Sequence, residues 1–219
     1  MEIIKAIESR RSIRGYLPHP VPKEIIREIL ASAMRAPSAL NTQPWKMTVV
    51  TGDALDKIKR DNIVRLKAGN PLNEQRATYT GIYHQRNVEL AIDIFNLMDI
   101  TREDRQKRNE WLQRGFRFFD APVALIISID RSLSGTWALF DLGTIAQTIC
   151  LTALNYGIGT CIEAQGVTYP EVIKEHTGIG ANEDIIVGIA IGYPDPDYPA
   201  NQLISRRASL DEVATFVGF

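Results

Sequence analysis

From Trp137 to Tyr156 the chain carries a single charged residue, Asp141. A helix that is apolar nearly all round is either buried in a core or pressed against an interface. Gly157 follows as its C-cap. The stretch from Pro122 to Ile129 reads as a strand apolar on both faces, and therefore central in a sheet. Ile185–Ile191 reads as another buried strand. The longest unbroken apolar run, about Ile185–Tyr193, falls well short of the roughly 20 residues that a bilayer span needs.

The remaining elements arrange themselves around that interior. Residues 1–9 form a short amphipathic helix. Pro22 sits at the first turn of a helix over 23–35, whose Ile25, Ile26, Ile29, Leu30, Ala33 and Met34 share one face. Met47–Thr51 reads as a strand and 53–67 as a helix with Leu55, Ile58 and Leu66 inward. Residues 68–82 read as a flexible polar connection. A helix over 83–99 presents Val88, Ala91, Ile92, Phe95 and Met98 on one face. Thr101 with Asp104 resembles a capping box opening a charged helix to about Asp120. A short strand over 158–163 and a helix over Pro170–His176, ended by Gly178, complete the pattern. The tail 193–219 holds Pro194, Pro196 and Pro199, with a helical piece near Asp211–Phe216. Its apolar residues find little to bury against locally, so it is expected to wrap a partner subunit. The whole is one domain over 1–219, an α+β or α/β layer protein around one central sheet.

Charge and motifs narrow the chemistry. Lys plus Arg is 25 and Asp plus Glu 26, a net charge of −1, which argues against nucleic acid or an anionic membrane as partner. Cys150 and Cys161 make no disulfide framework, and a reducing, cytoplasmic setting fits. The charged N-terminus has no apolar signal core. GxGxxG, GxxxxGK[ST], HExxH and GxSxG are absent. His19, His84 and His176 are scattered, and no metal site is expected.

Four segments carry information. Arg10-Arg11-Ser12-Ile13-Arg14 gathers three guanidiniums and a hydroxyl, suited to a small anion such as phosphate. Arg206-Arg207 near the other end completes a phosphate site if the fold brings the two together. Pro37-Ser38-Ala39-Leu40-Asn41-Thr42-Gln43-Pro44-Trp45 is a rigid polar loop that suits the edge of a planar heterocycle. Gly157-Ile158-Gly159-Thr160-Cys161-Ile162-Glu163-Ala164 permits close backbone approach to a ligand. Taken alone, the 37–45 segment is equally at home as an ordinary loop, and the other three are more often a surface charge run, a pair of surface arginines and a helix cap with a strand.

Together and in this order, these segments resemble the FMN-dependent nitroreductase family, over essentially the whole chain. Phe118-Phe119-Asp120-Ala121-Pro122, Asp141-Leu142-Gly143 with Gln147, Gly192-Tyr193-Pro194-Asp195 and Arg207-Ala208-Ser209-Leu210-Asp211-Glu212 look like its nitrobenzoate-reductase subgroup. Ile204 stands where many members of that subgroup have arginine. The resemblance implies a three-layer α+β fold with a mostly antiparallel central sheet flanked by helices. It implies a homodimer with FMN at the interface and a C-terminal arm extending onto the partner subunit.

Carried over residue by residue, Arg10, Arg11, Ser12 and Arg14 would hold the phosphate, ribityl chain and pyrimidine edge. Pro37, Ser38, Ala39 and Asn41 would approach from the other subunit. Ile162, Glu163 and Ala164 would lie along the ring near N5 through their backbone, and Arg207 with Arg206 would complete the phosphate site. The implied activity is hydride transfer from NADH or NADPH through FMN to an electron-poor acceptor such as a nitroaromatic or quinone. One site used twice makes the kinetics ping-pong. Arg14 is the candidate electrostatic stabiliser of the reduced ring. Tyr79, Tyr83 and Arg86 in a mobile 68–86 region, and Trp137, are the candidate substrate contacts. Enone or flavin reduction and dehalogenation are the competing reactions of the same fold. A flavin-binding protein without turnover is the competing reading from another class.

Overall fold

The computed structural model describes residues 2–70, 79–133 and 135–219. Its centre is a four-stranded sheet in the order β1-β2-β4-β3, formed by β1 (Trp45–Thr51), β2 (Val123–Asp130), β3 (Gly159–Glu163) and β4 (Glu183–Gly192). Every neighbouring pair is antiparallel. β2 and β4 lie inside the sheet, as their apolar runs require, and Val123–Ile129 is buried on both faces. A buried Leu or Ile side chain stabilises the fold by roughly 1.5–3 kcal/mol, so this strand dominates the core. β1 opens two residues earlier than the sequence indicates, because Trp45 pairs with Ile129 and is buried.

Helices cover both faces. On one face α2 (Lys23–Ala33) and α6 (Thr136–Leu154) pack through Ile26, Ile29, Ala33, Leu142, Ile145 and Ile149. On the other, α3 (Gly52–Lys67), α5 (Arg105–Phe116) and α7 (Pro170–Thr177) pack through Leu55, Ile58, Phe116, Val172 and Ile173. The outcome is the expected α+β architecture with a helical layer on each face of an antiparallel sheet. α1 (Ile3–Ser9), α4 (Gly81–Leu97) and α8 (Leu210–Val213) lie at the periphery.

α6 is half core and half surface. Asp141, Leu142, Ile145, Ala146, Ile149, Cys150 and Ala153 are buried, while Trp137, Leu139 and Phe140 stand exposed. By length and composition alone it is long and apolar enough to cross a bilayer, although its inner side lies in the protein core.

Several expectations are corrected. Pro22 is the N-cap of α2, not its first helical residue, and Met34 caps the other end, outside the buried face. In α4, Ile94 is buried, whereas Val88, Ala91 and Ile92 face outward. Phe95 and Met98 of the same stripe are half-buried, so among the described residues the stripe is covered only toward the C-terminal end of the helix. Asp104, not Thr101, caps α5 by accepting a hydrogen bond from Lys107 N at 2.8 Å. α5 stops at Phe116 because Phe118, Phe119 and Asp120 all adopt left-handed backbone (φ 54°, 52° and 60°). Arg117 and Arg114 pair with the Asp120 carboxylate at 2.7 and 2.9 Å and hold that turn. The connection expected over 68–82 falls over 71–78 outside the described residues; α4 begins at Gly81.

Candidate active site

After α1 the chain runs extended beside β3. Ile13 N donates to Thr160 O at 3.0 Å, and Ser12 forms a parallel bridge with Thr160. The Tyr16 hydroxyl lies 2.7 Å from Ile13 O and 3.2 Å from Ala190 O. Burial pushes its phenol well above the usual range. At Gly15 a Cβ would fall 2.1 Å from Tyr198 Cγ, so the close approach of the tail here needs glycine.

This arm carries Arg10 and Arg11 into a cleft of about 750 Å³ that it shares with Ser205 and Arg207 of the tail and Gln147 of α6. The arginine clusters near the two ends of the chain thus converge through Arg10, Arg11 and Arg207. Arg207 Nη1 lies 2.7 Å from Ser205 Oγ and 3.0 Å from Ser205 O, which orders the guanidinium. Ile204 lines the same cleft. Arg206 does not join it. Its guanidinium turns to α4, 3.1 Å from Asp93 and 3.9 Å from Glu89. Ser12 and Arg14 are outside this cleft lining. Arg14 Nη1 reaches Ser12 O at 3.5 Å, and its guanidinium lies 6.0 Å from the Phe119 ring centroid.

β3 is an edge strand whose Gly159, Thr160 and Cys161 are all buried; Ile162 and, just past the strand, Ala164 are exposed, while Glu163 points inward. The Glu163 carboxyl accepts from Gly166 N at 2.7 Å. Its other oxygen is buried without a hydrogen-bond partner. It lies beside Phe118, with Gly188 opposite, where a Cβ would come within 2.8 Å of Phe118 Cε1. Burial in this apolar setting pushes the carboxyl up to about 8, so it is largely neutral at pH 7. The neighbouring Cys161 thiol is pushed up to about 11 by burial, against the opposing pull of Arg14. Burial also raises Cys150. Both cysteines are quiet core residues.

The loop Pro37–Trp45 is held from α6. Both carboxylate oxygens of Asp141 accept from Ala39 N at 3.1 Å, and Thr144 Oγ1 donates to Pro37 O at 2.8 Å. Ser38 Oγ accepts from Gln43 N at 3.0 Å, and Gln43 Nε2 donates to Asn41 Oδ1 at 3.2 Å. Leu40, Asn41 and Gln43 take positive φ (51°, 57° and 47°). A cavity of about 750 Å³ lies between this loop and the start of α6, lined by Ala39, Leu40, Thr42, Pro44, Trp137 and Asp141 among others. Trp137 is therefore beside the loop. Pro37, Ser38, Ala39 and Asn41 are not part of the arginine cleft within one chain.

Tyr79 and Tyr83 are exposed, Tyr83 on α4 with Arg86. Arg86 faces Glu212 of α8 at 3.6 Å and shares a cleft of about 460 Å³ with Arg206 and Asp93. The structure does not bring these three residues to Trp137. Among the described residues no group of three or more His, Cys, Asp or Glu is placed to hold a metal.

The donor set fits a flavin mononucleotide. Three guanidiniums and two serines, which line one open cleft together with Glu8, match a phosphate dianion, and beyond the contacts of Ser12 and Ile13 with Thr160 the adjacent strand edge is unpaired among the described residues. Two holding residues escaped sequence reasoning as site elements. Asp141 was visible as the lone charge of α6, and that was its signal. Asn201 clamps the backbone of Arg14 and Gly15 from the tail, and no local pattern marks it.

A convergent arginine cleft beside an antiparallel sheet, with no Rossmann fingerprint in the chain, defines a non-Rossmann cofactor-binding α+β protein. Residues 7–193 match the Nitroreductase family, and the chain belongs to that family. It is 32% identical to a nitrobenzene nitroreductase of Ectopseudomonas oleovorans, over 96% of this chain and 95% of that protein. It is 31% identical to a 4-nitrobenzoate reductase of Pseudomonas putida, over 97% and 94%. The crystal structure of the FMN and NADPH-dependent nitroreductase NfnB from Sphigopyxis sp. strain HMH superposes with a TM-score of 0.95 at 28% identity, covering 100% of both chains.

Proposed function

We propose that this chain is an FMN-dependent oxidoreductase that takes hydride from NADH or NADPH and passes it to a nitroaromatic or quinone-like acceptor. It works as a cytoplasmic homodimer in a ping-pong cycle. Membership of the Nitroreductase family supports the activity. The observation that carries the reading onto this chain is the meeting of Arg10, Arg11 and Arg207 in one cleft.

Bound FMN supplies the hydride chemistry. The residues of the chain bind and orient it. Arg10, Arg11 and Arg207, with Ser205, hold the phosphate through charge-assisted hydrogen bonds. Ser12 and Arg14 lie further along the same arm, beside β3, and serve the ribityl and pyrimidine side. Arg14 would set its positive charge beside the bound cofactor, where it would favour negative charge developing on the ring. Ile162, Glu163 and Ala164 offer their backbone at the strand edge. The neutral Glu163 carboxyl behind that edge adds no repelling charge. Arg206, engaged with Asp93 and Glu89, has no part in the phosphate site of its own chain.

The homodimer is supported by incompleteness. The arginine cleft and the 37–45 loop lie on separate parts of one chain, each contacting α6. Exposed Trp137, Leu139 and Phe140 on α6, Ile3, Ile4 and Ile7 on α1, and Phe216, Val217 and Phe219 in the tail form apolar surface without cover. A second copy covers such surface and brings Pro37, Ser38, Ala39 and Asn41 to the cofactor.

The test is the visible spectrum of the purified protein before and after anaerobic NADH or NADPH. A flavin spectrum that bleaches with either donor is expected. A colourless protein that FMN does not reconstitute, or a bound flavin that neither donor reduces, overturns the reading.

A further inference from the structure

We propose that Asn201 is a positioning residue that fixes the backbone from which Arg14 projects. This rests on the reading that Arg14 faces bound FMN. Asn201 lies in the short turn Pro199–Gln202 of the tail and is 2% exposed. Its Oδ1 accepts from Arg14 N at 2.7 Å and from Gly15 N at 3.1 Å. Its Nδ2 donates to Gly15 O at 2.8 Å and to Asp195 O at 2.9 Å. Both amide hydrogens and both acceptor positions of the carboxamide are thereby in use.

The pairing fixes which end of the amide is oxygen, because two N–H groups face one end and two carbonyls face the other. No other side chain of that length offers two acceptor positions and two donors. Aspartate lacks the donors and glutamine is one methylene too long. Arg114 completes the arrangement. Its Nη2 donates to Arg14 O at 3.2 Å and to Phe119 O at 3.2 Å, and its guanidinium stacks 4.8 Å from the centroid of Tyr198. Tyr198 in turn fills the space that Gly15 leaves. All four backbone polar groups of Arg14 and Gly15 are thus held by Asn201 and Arg114. A side chain anchored on a locked backbone loses less freedom when it meets a ligand, and keeps its charge in one place.

The sharp variant is Asn201→Asp, which keeps shape and acceptors but sets oxygen against the Gly15 and Asp195 carbonyls. The readouts are the midpoint potential of bound FMN and amide exchange at Arg14 and Gly15. In the wild type these two amides exchange as slowly as those of β3, and the variant speeds them at least tenfold. The variant also lowers the ratio of reduced to oxidised FMN affinity about tenfold, which is about 30 mV for a two-electron couple. In an Arg14→Ala background the same substitution moves the potential no further.

If Asn201→Asp does not fold, Asn201→Ser takes its place. Wild-type Arg14 and Gly15 amides that exchange as fast as exposed loop amides overturn the clamp without any variant. A folded variant with an unmoved potential, in a wild type that binds FMN, overturns the role of Asn201 alone. A wild type that takes up no FMN overturns instead the reading on which Arg14 rests.

Discussion

Glu163 gives the fold a dependence on pH that a single substitution removes. In the unfolded chain its carboxyl titrates near 4.5, and in the folded chain burial pushes it up to about 8. The folded state therefore holds the extra proton. The stability this contributes is complete below 4.5 and is lost as pH rises through about 8. At 1.36 kcal/mol per pH unit the displacement sets a ceiling of about 5 kcal/mol. Glu163→Gln keeps the acceptor for Gly166 N but puts two amide hydrogens beside Phe118 where the neutral carboxyl has one, so one more buried donor has nothing to receive it. That costs about 1–3 kcal/mol at every pH. Below about pH 5 the wild type is thus the more stable, at pH 9 the variant is, and the two curves cross between about pH 5 and 8. Urea unfolding at one-unit intervals from pH 5 to 9 reads the difference directly, and contributions from other titrating groups cancel in it. A difference that stays constant from pH 5 to 9 refutes the reasoning, because it means the buried carboxyl ionises as it does in water.

Four further outcomes follow from the same geometry. Arg207→Ala removes a guanidinium from the cleft and weakens FMN binding about 10- to 100-fold, by the about 1.5–3 kcal/mol of a charge-assisted hydrogen bond. Arg206→Ala leaves FMN affinity, measured by fluorescence titration, within about threefold, since an exposed ion pair contributes about 0–1 kcal/mol. Asp141→Ala leaves Ala39 N unpaired and lowers unfolding stability by about 1–3 kcal/mol; an unchanged urea midpoint refutes its holding role. Gly15→Ala drives a methyl into the Tyr198 ring at 2.1 Å and, as an overpacking change, costs about 1–3 kcal/mol in thermal unfolding.

Much of the layering is legible in sequence because burial writes itself into hydrophobicity. The nearly uncharged α6, the doubly apolar β2 and, apart from Met34, the stripe of α2 sit where their patterns indicate. The left-handed run at Phe118–Asp120 is not legible. No bulky side chain favours that backbone, and the ion pairs from Arg114 and Arg117 that hold it, six and three residues before Asp120, look in sequence like ordinary charges of a helix end. The stripe of α4 misleads for the opposite reason. Its period is real, but among the described residues Val88 and Ile92 face outward and only Phe95 and Met98 of the stripe are half-buried. In the site, Arg10, Arg11 and Arg207 carry a pattern, whereas Asn201 does not. Its four partners lie 6 to 187 residues away, and a lone asparagine after proline reads as an ordinary turn.

The tail reaches α4 through Arg206 with Asp93 and Glu89, and through Arg86 with Glu212. These are exposed charges, so ions in the medium set how firmly the tail fastens the helix. Electrostatic reach shrinks from about 8 Å at 0.15 M salt to about 3 Å at 1 M. The sheet and its two packed faces are held by dry apolar contact and are indifferent to that change. Concentrated salt therefore loosens one fastening while leaving the scaffold intact, and the mobility of α4 becomes a property of the solution as much as of the chain.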